Sequence, residues 1–147
     1  MPKLNSKQQR ATIGFRAVIS GAQSVPQSST PSKITFTSEQ FDYGSNFTNS
    51  AFTAPVKGLY HLTASCCVLL DTAAGPDVGG YFYVNDTMKT RGYNGKLGYP
   101  NATVTDTLEL NAGDVVDYRV ASRTVGANIE DSTTTGYFAG HMIGEVA

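Results

Sequence analysis

FTAPVKGLYHLTASC, Phe52 to Cys66, is the stretch whose reading decides the fold. From Leu59 onward the chain alternates. Tyr60, Leu62, Ala64, Cys66, Val68 and Leu70 are apolar, while His61, Thr63 and Ser65 are polar. A period of two is the pattern of a strand with one buried and one open face. At Cys67 and Leu69 the alternation gives way, and the strand is expected to run from Leu59 to Leu70. Pro55 and Gly58 stand just ahead of it, and Gly58 is expected to turn the chain into the strand.

Working outward, turn signals recur about every ten residues between short segments rich in Val, Ile, Thr, Tyr and Phe. Extended segments are expected at Ile13–Ile19, at Lys33–Thr37, and as two short strands within Phe41–Phe52, broken at Gly44. Tyr81–Val84 and Thr87–Arg91 read as a hairpin around Asn85-Asp86. Ala102–Leu110 and Val115–Ala121 flank a turn at Asn111 to Asp114, and Gly136–Ile143 is the last strand. The stretches 21–32 and 122–135 read as loops. Nothing reads as helix. The expectation is an all-β, antiparallel jelly-roll sandwich of about ten strands, preceded by a polar arm over residues 1–12, with the domain proper at 13–147.

The composition bounds what such a domain does. Of its 147 residues 40% are apolar and only 16% charged, below the roughly 25% charged share of ordinary soluble domains. A formal charge of −1 gives no electrostatic footprint for nucleic acid or an anionic membrane. No apolar run approaches the roughly 20 residues that span a bilayer, and no signal-peptide pattern follows Met1, so a soluble chain without a secretory leader is expected. Cys66 and Cys67 are adjacent, point to opposite faces of a strand, and read as small buried apolar residues. The sequons at Asn46, Asn85 and Asn101 read as bare turn residues. Catalysis lacks an inventory: His61 and His141 are the only histidines, and no nucleophile elbow, phosphate loop or zinc-protease motif is present. No enzyme activity, cofactor or metal is expected.

Five segments carry a family resemblance: FRAVIS, FDYGSNF, FTAPVKGLYHL, LELNAGDVVDYRV and GYFAGHMI. In that order and spacing the chain resembles the C1q-like jelly roll of the C1q/TNF type from about Ile13 to Ile143. The resemblance implies a homotrimer in which one sheet of each subunit packs around a three-fold axis. It also implies that the last strand lies beside the central one, with Phe138 and Met142 meeting Tyr60 and Leu62 in the core. His61, Thr63 and Ser65, with Tyr137, Ala139 and His141, would then face neighbouring subunits. A ring of imidazoles on the axis could bind a metal or respond to pH near 6.5, while the plainer reading is a hydrogen-bonded interface pair; no metal site is assigned at this point. Some members of the family bind calcium through loop carboxylates. The candidates here, Asp71, Asp77, Glu130 and Asp131, make no dense ligand motif and read as solvated loop charges.

Two roles follow. In the first the chain is a trimeric decoration, or cement, subunit on the outer capsid surface of a phage virion, with the major capsid protein as partner. Lys3, Lys7 and Arg10 of the arm would make the contacts. In the alternative it is an extracellular recognition head or fibre tip. Tyr93, Asn94, Tyr99 and Asn101 of the loop RGYNGKLGYPNAT would stack on and hydrogen-bond to a glycan or protein receptor.

Overall fold

The computed structural model describes residues 12–70, 77–94 and 99–147. Along them lie fourteen strands: β1 (Gly14–Val18), β2 (Gln23–Val25), β3 (Ser32–Lys33), β4 (Ser38–Tyr43), β5 (Phe47–Thr48), β6 (Ala51–Thr53) and β7 (Gly58–Ser65), then β8 (Val68–Leu69), β9 (Val78–Val84), β10 (Thr87–Asn94), β11 (Val104–Leu110), β12 (Val115–Ser122), β13 (Ala127–Ile129) and β14 (Tyr137–Glu145). Eight of them have five residues or more, the number of strands in a jelly roll. The other six are two- or three-residue pieces that lift the count above the ten expected.

The strands make two facing sheets and a small cap. One sheet runs β11-β7-β14-β1-β4, the other β10-β9-β12-β6-β5 with β3 also on β12, and the cap is β2-β13-β8. Every strand pairing within these sheets is antiparallel.

Between the sheets lies an aromatic core. The ring of Phe15 stacks on Phe47 at 4.8 Å and on Phe52 at 4.9 Å, and meets Phe138 edge-on at 5.0 Å. Tyr60 and Leu62 are buried in this cluster, as the alternation of β7 requires, while Met142 and Leu70 lie at its margin. The Tyr60 hydroxyl is not left unpaired: it donates to the Val56 carbonyl at 2.7 Å.

Several sequence expectations are corrected. The central strand stops at Ser65. Cys67 bridges Asn101, and Val68–Leu69 joins the cap rather than continuing β7, which is why polar–apolar alternation fails there. Both expected loops contain strand: β2 and part of β3 fall within 21–32, β13 and the end of β12 within 122–135. Of Lys33–Thr37 only Lys33 is strand, although Ile34 still donates to the Tyr118 carbonyl at 3.0 Å and is buried. The stretch 41–52 holds the end of β4 as well as the two short strands β5 and β6. Gly58 is not at a turn. It opens β7, and a Cβ there would come within 2.6 Å of the Gly144 carbonyl oxygen, so close backbone approach is what excludes a side chain.

The hairpin at Asn85-Asp86 is as expected. Both residues have positive φ, 48° and 61°, the pattern of a tight primed turn. Asn85 is engaged there on both sides of its amide, donating to Asp114 at 2.8 Å and accepting from the Val115 N–H at 3.0 Å.

Candidate functional site

The outer face of the five-stranded sheet is built in rows by strand register. Cross-strand partners share a face. Tyr43, Gly14, His141, His61 and Thr107 are successive partners across β4, β1, β14, β7 and β11. The next row is Phe41, Arg16, Ala139, Thr63 and Thr105. A third brings Val18, Tyr137 and Ser65 together. All six residues that the sequence placed opposite the core therefore lie on one face. Ser65 contributes little surface: it is buried, with its hydroxyl 2.8 Å from that of Thr103.

This face carries few charges, and its β4 end is aromatic. Phe41 and Tyr43 stack on each other at 5.4 Å and are 40% and 56% exposed. Ile143, 57% exposed, extends the surface along β14. Gly14 has no side chain to fill its place in the first row, so a trough of about 240 Å³ opens between Phe41 and Tyr43 on one side and His61 and His141 on the other. Arg16 stands at its edge, with its guanidinium 5.5 Å from the Tyr137 ring centroid and a hydrogen bond to Gln40.

Beside the trough the two imidazoles are neighbours across the strand pair, ring centroids 5.7 Å apart and inclined at 52°. His61 Nδ1 lies 3.2 Å from Thr107 Oγ1. Among the described residues no three of His, Cys, Asp and Glu gather into a metal-binding group.

The remaining sequence candidates are scattered. Tyr93 and Asn94 are strand, not loop: they close β10 opposite Gly79 and Val78. The hairpin extends that far because Gly92 lies opposite Gly80, and a Cβ on Gly92 would overlap the Thr103 carbonyl. Tyr99 is 70% exposed beside the Cys67–Asn101 bridge and, with Leu69, Leu70 and Glu130, lines a separate cleft of about 370 Å³. Asp77, Glu130 and Asp131 do not converge on one another. Asp77 pairs with Arg123 at 3.0 Å, Glu130 accepts from the Thr135 hydroxyl at 2.6 Å, and Asp131 accepts from the Gly21 N–H at 2.8 Å. Each is occupied by local structure. Asp71 and the arm residues Lys3, Lys7 and Arg10 lie outside the described residues.

No protein-family model matches the sequence, and no curated protein does. Solved structures do match over nearly the whole chain. Murine APRIL superposes with a TM-score of 0.67 at 11% identity, covering 91% of this chain and 100% of that one. Eiger TNF from S. frugiperda gives 0.66 at 13% identity, covering 94% and 96%. The globular domain of zebrafish complement 1qA gives 0.60 at 16% identity, covering 91% and 99%.

The fold is a jelly roll of the C1q/TNF type. At these identities the likeness is one of backbone, and the side chains that distinguish this C1q/TNF-type domain are its own. Sequence reasoning missed Phe41 and Tyr43 as surface residues. The signal was present: they alternate with Asp42, whose two carboxylate oxygens accept the N–H groups of Asn46 and Phe47, each at 3.0 Å. An aspartate committed to the turn after Gly44 leaves the two flanking aromatics on the other face.

Proposed function

We propose that the protein is a non-enzymatic homotrimer whose copies pack the outer faces of their five-stranded sheets around a common axis, and that this trimer decorates the outer capsid surface of a virion. The observation that carries the trimer is the exposed aromatic patch on that face. Two stacked aromatics and an exposed isoleucine are poorly solvated by water, and the row through Gly14, His141, His61 and Thr107 beside them carries no carboxylate or ammonium group to keep a second copy away. Covering a single large side chain of this kind contributes about 1.5–3 kcal/mol. The absence of catalysis fits the same face, where the imidazoles meet each other and a threonine.

Sedimentation of the purified chain tests the assembly. A particle of three times the 15.6 kDa chain is expected, and the double variant Phe41→Ser, Tyr43→Ser should sediment as a folded single chain. A wild-type protein that stays monomeric at micromolar concentration overturns the trimer. For the shell role, the arm residues Lys3, Lys7 and Arg10 supply the contacts to the major capsid protein, and multivalency supplies the strength. Copy number in purified particles comparable with that of the shell protein supports it, and a few copies or none argues against it.

A second use, recognition of a glycan or protein receptor by an extracellular head, is favoured by the exposure of Tyr99 at the rim of its cleft. Loss of receptor binding in Tyr99→Ala, with sedimentation unchanged, would select this use.

A further inference from the structure

We propose that His61 and His141 form a two-imidazole chelate for a borderline divalent transition metal: Zn²⁺, Ni²⁺ or Cu²⁺. The spacing of the two rings matches such a site. A Zn–N bond of about 2.0–2.1 Å places the metal roughly 3.2 Å from the centroid of each ligating ring. Two rings sharing it at a tetrahedral angle are then about 5.2 Å apart, and at a straight angle about 6.4 Å. The observed 5.7 Å falls between the two.

The backbone fixes this spacing. His61 and His141 are direct partners in the register of β7 and β14, at the centre of the sheet, where neither strand is an edge. Thr107 takes one ring nitrogen out of play. Its hydroxyl sits 3.2 Å from His61 Nδ1, which orients the ring and leaves Nε2 as the ligand atom. A hydrogen bond on the non-ligating nitrogen is how metal-binding imidazoles are held.

The surroundings select the metal. The row through the pair contains Tyr43, Gly14 and Thr107, with no carboxylate, so hard cations such as Ca²⁺ and Mg²⁺ lack the oxygen ligands they need. Imidazole suits Zn²⁺, Ni²⁺ and Cu²⁺. The gap left by Gly14 supplies space beside the rings for waters, or for a side chain of another copy, to complete the coordination. The chelate needs only one chain and does not rest on the trimer.

The test is calorimetric titration of untagged, chelator-stripped protein with ZnCl₂, NiCl₂ and CuCl₂ at pH 7.5, with sedimentation run in parallel. One metal per chain is expected, with Cu²⁺ the tightest, as the divalent series dictates. His61→Gln and His141→Gln should each weaken binding by more than about 100-fold, and Thr107→Val, which keeps both ligands but frees a ring, by about 10-fold. No saturable binding, or equal affinity in wild type and both histidine variants with unchanged melting curves, overturns the proposal. A monomer that still binds metal through both histidines keeps the chelate and discards the trimer. A trimer that binds none does the reverse.

Discussion

The phenol oxygen of Tyr118 lies 3.4 Å from the sulfur of Cys66, and both groups are fully buried. The tyrosine donates its proton to the Ala102 carbonyl, so the thiol is left to donate to the phenol oxygen. This chain of bonds runs from β12 through the core to the end of β7. Burial pushes the Cys66 thiol up to about 12 and the Tyr118 phenol well above its ordinary 10.0.

Stability should therefore fall in alkali. Above the thiol's ordinary value of 9.0, the unfolded chain sheds a proton that the folded chain keeps until about 12. The contribution is complete below pH 9 and is lost as the pH rises, at about 1.4 kcal/mol per pH unit for each such group. Tyr118 adds to the slope above 10. Urea unfolding between pH 7 and 11 checks this, and Cys66→Ala should show a shallower decline than wild type. Parallel profiles would place the alkaline sensitivity elsewhere.

Cys66 should also be chemically silent. A thiol with so high a pKa carries almost no thiolate at pH 8, so disulfide reagents should leave it untouched in the native protein and label it after unfolding. Burial raises the Cys67 thiol too, with Glu130 adding to it, and Cys67 should react slowly for the same reason. Fast native labelling of Cys66 would contradict its burial.

Tyr60 separates packing from hydrogen bonding. Tyr60→Phe keeps the ring and loses the bond to the Val56 carbonyl, which should cost about 1 kcal/mol. Tyr60→Ala removes a ring packed beside Phe52 at 5.4 Å and should cost about 3–5 kcal/mol. Equal effects of the two in thermal unfolding would mean that the hydroxyl, not the ring, holds the site.

On the opposite sheet, Arg119 is held by Asp117 through bonds of 2.6 and 2.9 Å, and by Asp86 at 2.6 Å, and it covers the ring of Tyr83 at 4.0 Å. These carboxylates, Asp117 foremost, drive its pKa above the ordinary arginine value. Arg119→Met leaves the buried Asp117 carboxylate without its partner and should destabilise by about 1–3 kcal/mol. Adding Asp117→Asn to that variant should recover part of the loss in denaturant midpoints; no recovery would assign the effect to the lost ring contact.

What the sequence made legible follows from where side chains alternate. In β7 the register of Tyr60, Leu62 and Ala64 against His61 and Thr63 could be read directly, because one face is core and the other is not. The same holds for Val116, Tyr118 and Val120 of β12. The cap strands β2, β8 and β13 have two or three residues each, too few for any period to show. Tyr93 and Asn94 were hidden by Gly92, which signals a turn locally but here lets backbones approach. The pairing of the two histidines was readable only as a shared face; their direct opposition depends on how β14 slides along β7.

The placement of β14 between β7 and β1 has a consequence for biosynthesis. The segment that fills the middle of the sheet leaves the ribosome after the other described strands. At about 5–20 residues per second, the stretch from the end of β7 to the start of β14 takes roughly 4–14 s to emerge. Throughout that interval Phe15 and Leu62 have no Phe138 or Gly140 between them, and two strand edges stay open. Until β14 arrives the growing chain keeps the open edges and uncovered apolar surface that favour mispairing with its own copies.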